Sequence, residues 1–188
     1  PGLGTIQPSQ ADYFQAVKGG GHGDYHLIVL APNSVQEMYD FVPLGFELAF
    51  KYRNPVMILS DGVIGQMMEK VMLTEPRPRW SDAYIAEHWG GWATTGKPAD
   101  RKRNIVTSVE LDPLRQERFN LKLSEKYRTI RENEVRYEAV QCDDADYVLV
   151  AYGSSARISQ KTVELAREEG LKVGLLRPVT LYPFPTGA

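Results

Sequence analysis

The sequence predicts an α/β fold built on parallel strands, and three observations carry that expectation. Short apolar runs occur in two pairs, His26–Ala31 with Val56–Leu59 and Tyr147–Ala151 with Lys172–Leu176. Each run is continuous rather than alternating, the pattern of strands covered on both faces. A segment of helical periodicity bridges each pair, so each reads as a βαβ unit, and both crossovers are expected to be right-handed.

The first bridge opens on Ser34, with Glu37 placed to complete a capping box. Val35, Met38, Val42, Phe46 and Ala49 share one stripe at helical spacing and are predicted as its inward face. That phase continues through Pro43, so one kinked helix is expected, ending near Arg53-Asn54-Pro55 because the residue before proline leaves the α region. In the second unit Gly153-Ser154-Ser155 reads as a turn with Ser155 as the cap. Ile158, Thr162, Leu165 and Ala166 are predicted to face inward, with Gly170 as a left-handed C-terminal cap.

Between the two units, residues 75–103 are rich in Pro, Gly and Trp and show no period. Asp112-Pro113 then opens a charged helix with the stripe Phe119, Leu123, Tyr127 and Ile130. The region reads as a connector. Two βαβ units alone have too little sheet to cover their own apolar faces, so further chain or a partner is expected to do so. The ends agree, since the sequence opens on Pro1-Gly2-Leu3-Gly4 and stops just past a strand-like run, as a segment of a longer chain would.

Composition narrows the function classes. With 22 Lys and Arg against 24 Asp and Glu in 188 residues, the net charge of −2 gives no basic footprint for nucleic acid or an anionic membrane. The longest apolar runs fall far short of the roughly 20 residues that span a bilayer, and the expected location is the cytoplasm. Cys142 is the only cysteine, so the chain forms no internal disulfide and cannot supply the ligands of an iron–sulfur cluster. Its acidic setting, Gln141-Cys142-Asp143-Asp144, disfavours a thiolate.

Single motifs are weak. Gly91-Trp92-Ala93-Thr94-Thr95-Gly96-Lys97-Pro98 misses the phosphate-loop pattern because Pro98 brings no hydroxyl and no strand precedes it. His22, Asp24 and His26 alternate, but three ligands in five residues crowd one another and no fourth is evident, so a glycine-rich turn is the better reading than a metal site. Gly153-Ser154-Ser155 before a helix suits an anion, but simple capping explains it as well. His88 beside Trp89 and Trp92 fits either a binding face or an anchoring cluster. The opening stretch from Gly4 to Tyr13 collects small, hydroxyl and amide side chains suited to a polar pocket.

Taken together, GLGTIQPSQADYFQAVKGGGHGDYHLIVLAPNSVQEMYDF, KYRNPVMILSDGVIGQMME, NEVRYE and DYVLVAYGSSARISQKTVELAREEGLKVGLLRPVTLYPFP resemble, in order and over nearly the whole chain, the alpha subunit of 2-oxoacid:ferredoxin oxidoreductases. The similarity is to the 2-oxoisovalerate or 2-oxoglutarate branch. The implied fold is part of a parallel-sheet pyrimidine-type domain of thiamine diphosphate enzymes over residues 1–72, a connector with a charged helix over 73–145, and the start of a transketolase C-terminal-like α/β domain over 146–188.

The resemblance implies an enzyme that oxidatively decarboxylates a 2-oxoacid to an acyl-CoA and passes electrons to ferredoxin. It implies thiamine diphosphate with Mg2+, a beta subunit, and small subunits bearing iron–sulfur clusters, none of which this chain is expected to hold alone. Thr5, Gln7 and Gln10 correspond to a stretch lining the oxoacid pocket, with His22 and Asp24 at its rim. The family's activating glutamate, its Tyr-Pro-Ile-Thr-Pro segment and its substrate arginine correspond to positions ahead of Pro1, so no catalytic residue is expected here and the segment alone is expected to be inactive. Two other functions share the architecture: a non-catalytic assembly module, and a transketolase-like enzyme that does not use ferredoxin.

Overall fold

The computed structural model describes residues 12–19, 23–94, 96–97, 99–100, 102–103 and 105–188. They fall into two compact units, one drawn from Pro1–Met72 with Asn120–Ala188 and one from Leu73–Phe119. The larger unit carries two sheets. Strands β1 (Ile28–Leu30) and β2 (Val56–Ile58) pair in parallel, with Ile28 opposite Val56, and are joined by helix α2 (Val35–Tyr52). Strands β4 (Tyr147–Val150) and β5 (Val173–Pro178) also pair in parallel and are joined by α6 (Gly153–Glu168).

Both predicted parallel pairs are therefore present. Each gains an antiparallel neighbour that periodicity did not predict. β6 (Thr180–Tyr182) adds to β1, and β3 (Tyr137–Val140) adds to β5, giving the orders β2-β1-β6 and β3-β5-β4. These strands are too short to show a period, and β3 lies inside the stretch read as a connector.

The expectation of strands covered on both faces holds for β1, whose three residues are fully buried. It fails for β4. That strand lies at an edge, with Tyr147 70% and Val150 60% exposed.

Helix α2 runs unbroken through Pro43, as its phase predicted. Ser34 Oγ accepts the Glu37 N–H at 3.1 Å, but the Glu37 carboxylate reaches Asn33 N–H at 2.8 Å rather than the N–H of Ser34, so only half of the capping box forms. The helix ends with Arg53 in the left-handed region at φ 45°, next to Asn54-Pro55 as expected.

Its inward face is not the predicted one. Phe41, Gly45 and Leu48 are buried, whereas Val42 is 47% and Phe46 62% exposed. A Cβ on Gly45 would lie 3.6 Å from Val56 Cγ1, so the helix passes close to β2 at its smallest residue.

The same correction applies to α6, which buries Gly153, Ala156 and Val163 and leaves Ile158 and Leu165 exposed. Its N-cap is Tyr152, with no side-chain capping bond, so Ser155 does not cap. Its C-terminus is as predicted: Gly170 has φ +85°, its N–H meets Arg167 C=O at 3.0 Å, and Leu171 N–H meets Ala166 C=O at 2.9 Å. Those two bonds make a complete Schellman motif.

The charged helix α5 (Pro113–Asn133) sends Tyr127 and Ile130 into a core cluster with Ile28 and Leu48, while Phe119 at its start stays 52% exposed. A second cluster joins Ala16 and Val17 of α1 (Asp12–Val17) to Val29, Ala31 and Leu181. Where α2 and α5 end, buried Glu134 accepts from Tyr52 Oη at 2.5 Å and from Lys51 Nζ at 2.6 Å, and pairs with Arg136 at 2.9 Å. Burial opposes its charge, but these three donors outweigh it and hold the carboxyl below the usual range.

In the smaller unit, α4 (Asp82–Trp89) is capped by Ser81, whose Oγ accepts Tyr84 N–H at 3.2 Å, and buries none of its residues. Rings within and just before it pack on one another instead: Trp80 on Trp89 at 4.3 Å and Tyr84 on His88 at 3.9 Å between centroids. Among the described residues no helix is long and apolar enough to cross a membrane.

Candidate functional site

In α/β proteins ligands collect where parallel strands end at their carboxyl side, because loops and helix N-termini converge there. A cleft of about 370 Å³ opens beside that end of β4. Tyr13 and Phe14 of α1 form one wall, Val150, Ala151 and Tyr152 another, and Pro178 and Phe184 complete the lining. The Tyr13 and Tyr152 rings face each other at 6.0 Å. Burial, followed by the neighbouring Tyr13 hydroxyl and then the charge of Asp61, pushes the Tyr152 hydroxyl up and keeps it protonated. The lining is apolar and aromatic, suited to an uncharged group.

Helix α1 follows directly on the predicted pocket segment. Thr5, Gln7 and Gln10 lie outside the described residues, as does His22. Asp24 is described and exposed. His26 does not join a ligand set: its ring stacks on Tyr182 at 4.5 Å and meets Tyr127 edge-on at 5.0 Å. No group of three or more metal-ligating side chains occurs among the described residues.

The residues that shape the cleft region are ones the periodicity did not flag. Asp61 follows β2 and caps α3 (Gly62–Gln66), its Oδ1 accepting Val63 and Ile64 N–H, each at 3.0 Å. Its other oxygen, Oδ2, accepts Ser154 N–H at 2.7 Å and so reaches the start of α6. Burial opposes that charge, but the N–H groups of Ile64, Ser154 and Val63 outweigh it and lower the Asp61 pKa. Gly153 takes φ +60°, and a Cβ there would stand 2.7 Å from Asp61 Oδ2. Only glycine fits this turn without strain.

Two further carboxylates sit at the start of α2. Glu69 accepts Val35 N–H at 3.0 Å and pairs with Arg157 of α6. Glu37 pairs at 2.6 Å with Arg177 of β5, a buried guanidinium that also meets Glu138 at 2.8 Å. Three carboxylates on loops and helices around β1 and β2 thus hold three donors of the second βαβ unit. The Asp61-Gly62 pair after a strand is a readable cap signal. Nothing local in the sequence connects Glu69 to Arg157 or Glu37 to Arg177.

The anion reading of Gly153-Ser154-Ser155 is answered by this geometry. The group at that helix start is the chain's own Asp61 carboxylate.

Comparison with known proteins fits this architecture. Residues 1–113 match the family described as pyruvate flavodoxin/ferredoxin oxidoreductase, thiamine diphosphate-binding, and residues 145–188 match pyruvate:ferredoxin oxidoreductase core domain II. The chain is 54% identical over 190 residues to ketoisovalerate oxidoreductase subunit VorB of Methanothermobacter marburgensis, covering 99% of this chain and 51% of that protein. It is 35% identical over 207 residues to 2-oxoglutarate synthase subunit KorA of Methanocaldococcus jannaschii, covering 98% of this chain and 55% of that one. It spans about half the length of these curated relatives.

The fold matches that of 2-oxoglutarate:ferredoxin oxidoreductase from Magnetococcus marinus, solved with 2-oxoglutarate, coenzyme A and succinyl-CoA bound. The TM-score is 0.70 at 24% identity, covering 95% of this chain and 35% of that one. With the thiamine diphosphate-binding match running over 113 of its 188 residues and core domain II following in the same order, the chain belongs to the pyruvate flavodoxin/ferredoxin oxidoreductase family.

Proposed function

We propose that this chain is part of the alpha-type subunit of an oxidoreductase that decarboxylates ketoisovalerate, joins the acyl group to coenzyme A and passes the electron pair to ferredoxin. The observation that carries the reading is the 54% identity to a ketoisovalerate oxidoreductase subunit across 99% of this chain, against 35% to a 2-oxoglutarate synthase subunit. The cleft supports it, because among the described residues its lining holds no lysine or arginine to meet a second carboxylate.

In this reading Thr5, Gln7 and Gln10 line the oxoacid pocket with hydrogen-bonding groups, and His22 and Asp24 stand at its rim. Residues 1–72 are the later part of the pyrimidine-type domain, 73–145 the connector, and 146–188 the start of the transketolase-like domain. The partners are a beta subunit, small cluster-bearing subunits and ferredoxin, and the enzyme works in the cytoplasm.

Thiamine diphosphate with Mg2+ supplies the carbanion chemistry when bound. The described residues do not themselves fit its diphosphate end. Carboxylates, Glu37 with Glu69 and Asp61, already accept N–H groups at the starts of α2 and α6, and no acidic or histidine cluster is present there for the metal. The diphosphate and metal contacts are therefore assigned outside the described residues.

The test uses the full-length protein assembled anaerobically with its partner subunits and loaded with thiamine diphosphate and Mg2+. Coenzyme A-dependent ferredoxin reduction is measured with ketoisovalerate, 2-oxoglutarate and pyruvate, and ketoisovalerate should give the highest kcat/KM. An assembly that holds neither iron nor thiamine diphosphate would point to an assembly module. One that holds thiamine diphosphate but no iron would point to a transketolase-like enzyme.

A further inference from the structure

The two walls of the cleft come from different βαβ neighbourhoods. Tyr13 and Phe14 belong to α1, which packs on β1 through Ala16 and Val17, whereas Ala151 and Tyr152 lie between β4 and α6. Their separation is set by whatever registers the second unit against the first. Next to the cleft, the Tyr152 ring packs on the cluster of Ala16, Val17 and Val29, and Asp61 adds a hydrogen-bonded latch to the start of α6. Asp61 Oδ1 is fixed by two N–H groups of α3, and Asp61 Oδ2 takes the N–H of Ser154, two residues from Tyr152.

Gly153 makes that approach possible, since any Cβ there would stand 2.7 Å from the same oxygen. The bond is charge-assisted, the stronger class of hydrogen bond, and its acceptor is held from both sides. The Arg157–Glu69 and Arg177–Glu37 pairs register the same two units at the start of α2.

We propose that Asp61 is a positioning residue that sets the width of the cleft, and that the cleft receives the branched apolar side chain of the 2-oxoacid. The ligand assignment rests on the proposed oxidoreductase function. Asp61 touches no substrate in this scheme. It acts through Ser154 and Tyr152, holding the Tyr152 wall at the distance from Tyr13 that a branched side chain fills and a methyl group does not. Loss of the latch widens the cleft, so the penalty falls on binding of the branched substrate and not on the chemical step.

The experiment uses the full-length protein in its loaded assembly, as wild type, Asp61→Asn, Gly153→Ala, and Glu69→Gln as a clasp variant away from the cleft. Amide exchange at Ser154 should be about tenfold faster or more in D61N and G153A, as loss of a hydrogen bond to a charged group predicts, and unchanged in E69Q. KM for ketoisovalerate should rise about fivefold to tenfold in D61N and G153A, with KM for pyruvate and kcat close to wild type, the scale expected when one pocket wall moves. A merely structural role would lower the active fraction and hence kcat, leaving the KM ratio of the two substrates unchanged.

Unchanged exchange at Ser154 in D61N overturns the latch. Faster exchange with an unchanged KM ratio overturns its role in substrate fit. A wild-type assembly that turns over no 2-oxoacid instead removes the proposed function, and the exchange measurement still decides whether Asp61 latches the units. Should D61N fail to assemble, G153A reports on the same bond from its other side.

Discussion

Glu134 carries an energetic expectation that pH can test directly. It is 2% exposed and is met by Lys51, Tyr52 and Arg136, so Glu134→Gln leaves donors facing a weaker acceptor in a buried place. The expected loss is about 2 kcal/mol at neutral pH, read by chemical denaturation. Because its folded pKa lies below the unfolded one, the stabilisation is complete above the unfolded carboxylate range, near pH 4.3, and is lost as pH falls through the folded value. The gap between wild type and E134Q should therefore be widest near neutrality and close in acid, and a gap that stays constant with pH would contradict the assignment. Gly153→Ala should lower stability by about 1 to 3 kcal/mol in thermal unfolding, since the left-handed φ alone carries such a cost for a residue with a Cβ. At this scale the sequence was partly readable: Gly170 and the Arg53 terminus followed from local rules, and Asp61 had a visible cap signal. The Glu134 cluster joins residues more than eighty apart in sequence, so no local rule reaches it.

Helices α2 and α6 show what periodicity does and does not determine. Both were legible as helices, and α2 keeps its course through Pro43. Neither inward face was assigned correctly, because each helix carries two apolar stripes. In α2 the stripe of Val42 and Phe46 competes with that of Phe41 and Leu48, and packing selects the second. Phe41 joins Leu30 and Val179, Leu48 joins Ile28, Tyr127 and Ile130, and Gly45 seats the helix against Val56. Those contacts are tertiary and have no trace in the spacing. The two stripes make opposite predictions for denaturation of the 188-residue chain. Leu48→Ala should lose about 3 kcal/mol as a cavity-forming core change. Phe46→Ala should stay within about 0.5 kcal/mol, as an exposed substitution does. Equal effects would mean that the helix is rotated relative to this description.

At the scale of the whole molecule, the parallel βαβ units and their order along the chain were legible, and so was the family through motifs spread over the full length. The antiparallel additions were not. β6 is only three residues, and its pairing with β1 depends on the chain returning from the second sheet to the first. Val179 and Leu181 then join clusters that include Leu30 and Val29. Removing residues 179–188 should expose the apolar face of β1 and raise binding of a hydrophobic dye such as ANS, and a truncated chain with unchanged dye binding would contradict this role for β6.

The pairing of Leu30 with Thr180 also bears on how the protein is made. A nascent chain leaves the ribosome from its amino end, so β1 emerges long before the strand that closes its second edge. At roughly 5 to 20 residues per second, that interval lasts on the order of ten seconds. Throughout it a strand that is fully buried once folded stands open on one side, the kind of transiently exposed apolar edge that chaperones exist to shield.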